Sequence, residues 1–373
     1  MATQIAHERV FNFSSGPAVL PVPVLERIRE EMLCLPGAGA SILEISHRSE
    51  TFIGIQKQAE ARLRRLIDVG DDYEVLFLQG GARLQFSMIP ANLLRGRSQP
   101  AQYVLTGSWG KNALAEAKKE GPVEVLYDAK DSGYNHLPAA SELSVAPNAS
   151  YVHITSNETI QGVQFSSDFE RDLDTQNAPL VCDASSDFLH RPYDINRYGL
   201  MYACAQKNAG PAGVTVVILK KELLERSAEN LPGYLNYKNQ AAAESMWNTP
   251  PTFAIYALGL VAEWLEETVG GLNKMHLLNQ NKAQLLYDVL DEFPEFYQGH
   301  ALRQNRSLMN VTFRFADAEA EKKFLAGAAE HGLDNLKGHR SVGGIRASIY
   351  NAMPREGVQA LAQYMSDFAS KHA

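Results

Sequence analysis

The chain has 373 residues, more than a single hydrophobic core usually accommodates, so we expect one large domain and a smaller one. Hydrophobic residues make up 45% of the sequence and charged residues 21%, which is the balance of an ordinary globular protein. The formal net charge of −8 argues against a nucleic-acid surface, so any anion site must be a local basic pocket.

The sequence carries no recognisable targeting, membrane or metal signal. Its first residues, MATQIAHERVFNF, lack the basic-then-apolar pattern of a signal peptide. No apolar stretch approaches the ~20 residues that a membrane span needs. The three cysteines, Cys34, Cys182 and Cys204, lack metal-ligand spacing. We therefore expect a cytoplasmic protein with no metal and no membrane partner.

The first two thirds of the chain predict a sheet covered by helices. Prolines at positions 17, 21 and 23 predict a loop before helices at residues 25–33 and 51–67. Further helical patterns cover residues 80–94 and 109–119. Seven strand-like runs lie at residues 73–78, 103–105, 123–127, 151–155, 180–182, 200–205 and 213–219. Strands that alternate with helices predict an α/β fold with a mostly parallel sheet and helices on both faces.

The last third of the chain has a different organisation. Helical patterns cover residues 253–267, 273–290, 319–331 and 356–370, and strand-like runs cover residues 310–315 and 345–349. We interpret this part as a smaller α+β domain. The predicted boundaries are residues 14–262 for the large domain and 263–373 for the small one, with residues 1–13 packing near the small domain.

The last two strand-like runs of the sheet flank Lys207, where we place the chemistry. Most lysines after a strand reach into solvent, but burying an ammonium between apolar strands costs several kcal/mol unless something compensates it. The functional alternative is an amine held in a cleft, where it forms a Schiff base with a carbonyl compound. Asp183 also follows a strand, and a carboxylate beside the ring nitrogen would keep a pyridine cofactor protonated.

Two other kinds of pattern indicate anion binding. Gly80-Gly81-Ala82-Arg83 opens a helix after a strand, where free N–H groups and a guanidinium favour a phosphate. It lacks the spacing of a dinucleotide fingerprint and the Walker lysine. His-Arg occurs three times, at positions 47–48, 190–191 and 339–340, and we expect the pair before Pro192 to be structural. The other two lie in polar loops and, with Arg346, suit a substrate with two anionic ends.

Several segments resemble the phosphoserine aminotransferases, pyridoxal-phosphate enzymes of the class V aminotransferase group. They run in the expected order from residue 12 to residue 354: NFSSGPAVLP, ISHR, QGGAR, SNETIQG, AQKNAGPAG, WNTPPTF and KGHRSVGGIRASIYNAMP. The resemblance implies fold type I, a homodimer with active sites at the subunit interface, and a role in L-serine biosynthesis. One departure is Ala82, where many relatives have a third glycine.

The resemblance also implies the roles of individual residues. Lys207 would form the Schiff base with pyridoxal 5'-phosphate, Asp183 would pair with its pyridine nitrogen, Trp109 would stack on its ring and Thr159 would hydrogen-bond its ring hydroxyl. The cofactor phosphate would be held by Ala82, Arg83 and Gln206, together with Asn248 and Thr249 of the partner subunit. The substrate would be bound by His47, Arg48, Arg83, His339 and Arg340 at its phosphate or side-chain carboxylate, and by Arg346 at its α-carboxylate.

The implied reaction is a ping-pong transamination between L-glutamate and 3-phosphohydroxypyruvate that gives O-phospho-L-serine and 2-oxoglutarate. A side activity in pyridoxine biosynthesis stays open. One alternative is another class V activity, such as an alanine–glyoxylate or serine–glyoxylate aminotransferase, which would have no use for two His-Arg loops. A cysteine desulfurase would need a reactive cysteine on a mobile loop, and Cys34 is poorly placed for that. A non-catalytic phosphometabolite-binding protein would not need Lys207.

Overall fold

The computed structural model describes residues 9–372. The α-helices of this part are α1 (Val22–Glu31), α2 (Glu50–Ile67), α3 (Gly81–Leu93), α4 (Ser108–Ala117), α5 (Ser167–Asp172), α6 (Tyr237–Ala242), α7 (Thr252–Glu263), α8 (Leu272–Glu292), α9 (Ala318–Glu330) and α10 (Arg355–His372). The strands are β1 (Phe11–Asn12), β2 (Tyr73–Leu78), β3 (Ala101–Leu105), β4 (Val123–Asp128), β5 (Tyr151–Thr155), β6 (Asn157–Glu158), β7 (Val163–Gln164), β8 (Leu180–Asp183), β9 (Leu200–Cys204), β10 (Thr215–Lys220), β11 (Tyr297–Gly299), β12 (Asn310–Phe315), β13 (Leu333–Asp334) and β14 (Ile345–Ser348).

The predicted seven-stranded, mostly parallel sheet is confirmed. Its strand order is β2-β10-β9-β8-β5-β3-β4, and only β10 runs antiparallel to its neighbours. The chain joins β9 to β10 through residues 205–214, which is shorter than the dozen or more residues of a parallel crossover. The turn that carries Lys207 therefore reverses the chain direction at one edge of the sheet.

Helices cover both faces of this sheet because its strands present apolar side chains to both sides. On β10, Val216 and Ile218 belong to one core, which also contains residues of α2 and α7. Val217 and Leu219 belong to a second core, which contains residues of α3 and α4. This alternation follows from the two-residue period of a strand.

The C-terminal part has its own antiparallel sheet, with strand order β11-β12-β14, and its own core. Phe13, near the N-terminus, belongs to that core, and β1 pairs with β13 in parallel. The predicted boundary at residues 262/263 stays a prediction. Of the N-terminal residues 1–13 expected near the small domain, residues 1–8 lie outside the described residues, as does residue 373.

Two local predictions need correction. We expected prolines to delay the first helix to residue 25, but α1 begins at Val22 and contains Pro23 in its first turn. Proline is tolerated there because that backbone N–H has no partner within the helix. The helix predicted over residues 253–267 is α7, which continues as a π-helical segment, Trp264–Val269, before Gly270 ends it with φ +87°. Within residues 9–372, no helix combines the length and the hydropathy of a membrane span.

Candidate active site

Several of the predicted site residues lie at one edge of the central sheet. Asp183 is the last residue of β8, and Lys207 follows β9. The helices α3 and α4 begin directly after β2 and β3, so residues of their first turns reach the same edge. These are the carboxyl ends of parallel strands, where open α/β sheets bind their ligands.

Lys207 is half-buried and contacts two other predicted residues. Its Nζ donates a hydrogen bond to Thr159 Oγ1 at 2.5 Å. The same Nζ lies 5.3 Å from the centroid of the Trp109 ring, and Arg83 Cζ lies 5.6 Å from that ring. Lysine, threonine, tryptophan and arginine, which are far apart in sequence, therefore form one cluster. The amine is therefore held by other side chains of the cluster.

Asp183 supplies a buried carboxylate beside this cluster. Its Oδ1 accepts a hydrogen bond from the backbone N–H of Ser185 at 3.0 Å. Burial raises the pKa of Asp183, while the hydrogen bond from Ser185 and the charge of Lys207 oppose that increase. Because burial disfavours the ionised form of Asp183, a cation beside it is favourable, which suits the carboxylate to pair with a cationic ring nitrogen.

The turn before α3 has the backbone geometry of an anion cup. Gly80 and Gly81 have φ of +88° and +64°, values that favour glycine. A Cβ on Gly80 would lie 2.5 Å from the Leu84 side chain. The next residue, Ala82, does not have positive φ, so alanine is tolerated at the position where relatives have glycine. Arg83 is exposed in the first turn of the helix.

A second basic cluster lies in the C-terminal part. Arg346 on β14 and His339 in the preceding loop line one cleft together with Thr312 and Ile160. Arg346 Nε is buried without a hydrogen-bond partner within residues 9–372, and burial lowers the pKa of Arg346. The pKa of His339 is lowered by burial and then by the charges of Arg346 and Arg340. Three predicted substrate-binding residues are therefore neighbours, and Ile160 connects their cleft to Thr159.

Four other predicted residues do not join these clusters within one chain. His47 and Arg48 lie in the loop before α2, and Asn248 and Thr249 are exposed before α7. The Thr249 carbonyl accepts a hydrogen bond from Gln79 Nε2 at 3.2 Å. Within the described part of the chain, no hydrogen bond connects any of the four to Lys207 or Asp183. The third His-Arg pair is structural as expected, because Arg191 is buried and pairs with Glu170.

The structure adds a contact to which we assigned no role. The segment before α1 packs against the Lys207 turn, where Ala18 N–H donates to the carbonyl of Gln206 at 2.9 Å. Gly16 has φ +133°, and a Cβ there would lie 3.2 Å from that carbonyl oxygen and 3.3 Å from Lys207 Cγ. The SSGP motif was the available signal, but its sequence does not reveal which strand end it touches.

The residues present match the functional groups of pyridoxal 5'-phosphate. The cofactor has an aldehyde, a ring nitrogen, a ring hydroxyl, a flat ring and a phosphate. The cluster has an amine in Lys207, a buried carboxylate in Asp183, a hydroxyl in Thr159, an aromatic face in Trp109 and the glycine-rich start of α3. Trp109 Nε1 is also buried without a partner within residues 9–372.

Together, the sheet and this set of residues define a pyridoxal-phosphate-dependent enzyme of fold type I. Residues 10–361 match the family described as Aminotransferase class-V. The chain belongs to this family of class-V aminotransferases. It is 61% identical to the phosphoserine aminotransferase of Rhodopirellula baltica over 366 residues, which cover 98% of this chain and 96% of that protein.

Solved structures of the same group have the same fold. The phosphoserine aminotransferase from Bacillus circulans subsp. alkalophilus is 46% identical, with a TM-score of 0.94 over 98% of this chain and 100% of that chain. The phosphoserine aminotransferase from Trichomonas vaginalis, described as bound to pyridoxal phosphate, is 39% identical, with a TM-score of 0.89 over 96% of this chain and 99% of that chain. The cofactor and the transaminase class predicted from the sequence are confirmed.

Proposed function

We propose that the protein transfers the amino group of L-glutamate to 3-phosphohydroxypyruvate, giving 2-oxoglutarate and O-phospho-L-serine in L-serine biosynthesis. The observation that carries this proposal is the joint presence of the Lys207 cluster and the Arg346 cluster in a chain 61% identical to a phosphoserine aminotransferase. The first cluster suits amino-group transfer, and the second suits a substrate with anionic groups.

Lys207 is the proposed catalytic base and acid. Bound pyridoxal phosphate would supply an aldehyde for the amino group and a ring that takes up electrons from the substrate Cα. The Nζ of Lys207 would then act as the base that removes the proton from the substrate Cα and as the acid that returns a proton later in the reaction. Its hydrogen bond to Thr159 and its position near Trp109 restrict where that nitrogen moves.

Asp183 would hold a proton on the cofactor ring nitrogen. A buried carboxylate with a single backbone donor is stabilised when a cation lies against it. The ring hydroxyl would face Thr159, and the start of α3, with Ala82, Arg83 and Gln206, would bind the cofactor phosphate.

The Arg346 cluster would bind the substrate. Arg346 would take the α-carboxylate through forked hydrogen bonds, and His339 and Arg340 would contact the distal phosphate or carboxylate. One pocket must accept both anions, because both half-reactions use it. A guanidinium is suited to this dual role because carboxylate and phosphate both accept two parallel hydrogen bonds.

The remaining predicted site residues support a homodimer. Four of them lie outside the clusters of the single chain: His47, Arg48, Asn248 and Thr249. Of these, Arg48, Asn248 and Thr249 are exposed. We propose that a second copy brings Asn248 and Thr249 to the cofactor phosphate. The measurement is sedimentation of the purified protein, combined with mixing of Lys207→Ala and Asn248→Ala variants. Hybrid dimers with one intact site should regain activity that neither variant has alone, whereas no recovery would argue against sharing.

We also propose a cellular location for the protein and a division of the chain into two domains. A cytoplasmic location is proposed because the proposed substrates are small charged metabolites. The Arg346 cluster lies on the proposed small domain, and the Lys207 cluster lies on the proposed large domain. A division near residue 262 would thus place the active site between the two domains.

The direct test is the half-reaction of the pyridoxamine form. It should react much faster with 3-phosphohydroxypyruvate than with hydroxypyruvate, because only the former presents a phosphate to the basic residues. Lys207→Ala should lose turnover and the yellow colour of the bound cofactor. Lys221→Ala is the matched control, because Lys221 is exposed and pairs with Glu74 at the opposite end of β2. Equal rates with both oxo acids would favour a glyoxylate-type aminotransferase.

A further inference from the structure

A buried carboxylate binds the backbone N–H groups at the N-terminal end of α4. Glu158 Oε2 accepts a hydrogen bond from the N–H of Trp109, and Oε1 accepts one from the N–H of Gly110, both at 3.0 Å. The Glu158 side chain is completely buried. The first N–H groups of a helix have no partner within the helix and favour negative charge. Glu158 satisfies two of these groups from outside the helix.

The neighbouring residues make room for this contact. A Cβ on Gly107 would lie 2.4 Å from Glu158 Cδ and 2.6 Å from Gln161 Oε1. Gly107 has φ 177°, which any residue adopts, so glycine is needed here for space. Gln161 also binds the helix start, because its Nε2 donates to Ser108 Oγ at 3.0 Å. A side chain of β6 and one of the turn that follows it thus hold the first turn of α4.

This contact joins the two residues that flank the Lys207 amine. Trp109 lies in the held turn, with its ring 5.3 Å from Lys207 Nζ. Thr159 directly follows Glu158 and accepts the hydrogen bond from the same Nζ. We propose that Glu158 is a positioning residue, which fixes the Trp109 ring relative to the Lys207–Thr159 pair and so sets the width of the slot for the cofactor ring. This inference depends on the proposed function.

The surroundings of Glu158 shift the pKa of its carboxyl in both directions. Burial raises the pKa of Glu158 to about 7, and the two backbone donors and Lys207 act against that increase. Asp183 raises this pKa further. With a pKa of about 7 the carboxyl is partly ionised at neutral pH, and the N–H groups of Gly110 and Trp109 are the strongest influences that favour its ionised form. Glutamine has one acceptor oxygen in place of two, so Glu158→Gln should release one of the two N–H contacts at nearly constant volume.

The test compares Glu158→Gln with wild type and with Glu142→Gln. Glu142 is a matched control because its exposed carboxylate accepts a backbone N–H, that of Ala139 at 2.6 Å, away from the cofactor cluster. The cofactor-free proteins are titrated with pyridoxal phosphate, and binding is followed by quenching of tryptophan fluorescence. Visible circular dichroism then reports the asymmetry of the bound ring.

We expect Glu158→Gln to raise the Kd for pyridoxal phosphate on the order of 10-fold, about 1.4 kcal/mol, and to change the visible circular dichroism. The kcat with L-glutamate should fall, while KM stays within about twofold because Glu158 does not contact the Arg346 cluster. Glu142→Gln should match wild type in every measurement. An unchanged Kd and an unchanged spectrum for Glu158→Gln would overturn the proposal, as would a lower melting temperature as its only defect.

A second variant, Gly107→Ala, tests the same proposal if Glu158→Gln does not fold. Gly107→Ala retains Glu158 but adds a Cβ that displaces its carboxylate from the start of α4, so the Kd and the spectrum should change in the same direction. Wild-type values for Gly107→Ala would then refute the positioning role. Failure of the proposed function would look different, because the wild-type protein itself would not bind pyridoxal phosphate or react with L-glutamate.

Discussion

Replacing Arg346 by methionine should raise thermal stability and remove most of the catalytic efficiency. The guanidinium is largely enclosed, its Nε has no hydrogen-bond partner within residues 9–372, and burial lowers its pKa. An unpaired charge in such a place costs folding free energy, and an apolar side chain of similar length avoids that cost. The same guanidinium is the proposed partner of the substrate α-carboxylate, so stability and activity should change in opposite directions.

The sizes of the two effects follow from the kinds of contact involved. Two charge-assisted hydrogen bonds to a carboxylate contribute ~3–5 kcal/mol to binding, so kcat/KM should fall by about 10²–10⁴-fold for L-glutamate and for 3-phosphohydroxypyruvate alike. Removal of a strained functional charge commonly stabilises a protein by ~0.5–2 kcal/mol. In a chain of this size that gain corresponds to a rise in Tm of about 1–3 °C.

Thermal unfolding and steady-state kinetics of Arg346→Met test this reasoning directly. Arg306→Met is the matched control, because Arg306 donates two hydrogen bonds to Asp291, at 2.6 and 2.9 Å, and so has its charge paired within the protein. The control should lower Tm and change kcat/KM by only a small factor. If Arg346→Met lowered Tm by several degrees, Arg346 would be a structural ion and the reasoning would be wrong.

Three further substitutions test individual contacts. Gly16→Ala forces φ +133° on alanine and crowds Lys207 Cγ, so we expect a loss of ~1–3 kcal/mol in unfolding free energy and weaker cofactor binding, measured by thermal shift with and without pyridoxal phosphate. His153→Phe should reduce acid sensitivity. Burial lowers the pKa of His153 to about 3, so only the unfolded state gains its proton as pH falls from about 6.5, at a cost of about 1.4 kcal/mol per pH unit. Denaturant titrations give the free energy of unfolding at pH 7 and at pH 5. The decrease in that free energy between the two pH values should be smaller for the variant than for wild type, and an equal decrease would contradict the burial argument. Lys282→Met should lower the free energy of unfolding, measured in urea, by ~2–4 kcal/mol. The Lys282 side chain donates to buried backbone carbonyls, including that of Tyr350 at 2.7 Å, which the variant leaves without this donor. Wild-type stability of the variant would show that these carbonyls find other donors.

Most of the central sheet could be predicted because its inner strands are buried, whereas the edge strand β4 is partly exposed. The strand β5 was predicted with the observed ends, and every residue of it is buried, so its apolar run reflects packing on both faces. The reversed direction of β10 was not predicted, because a buried antiparallel strand has the same composition as a parallel one. The strands β1 and β13 have two residues each, too few for any periodicity to appear.

Parts of the candidate site could be proposed from the sequence where one residue type carries a distinctive chemistry. Lys207 was identifiable because a lysine between two apolar strands is unusual. Glu158 was not, because its function depends on two backbone N–H groups of a helix that begins about fifty residues earlier, and no sequence pattern records such a contact. Gly107 was missed for the same reason, since a need for space depends on the partner that occupies it.

The division of the site between clusters also bears on how assembly and cofactor binding are related. One chain brings together the groups proposed for the cofactor ring, whereas Asn248 and Thr249, proposed for the cofactor phosphate, stay outside its cluster. If a second copy supplies those two residues, the dimer binds pyridoxal phosphate more tightly than the monomer does. By linkage, the cofactor must then strengthen the dimer by the same free energy. Loss of the cofactor would therefore weaken the subunit interface even though no interface residue has changed.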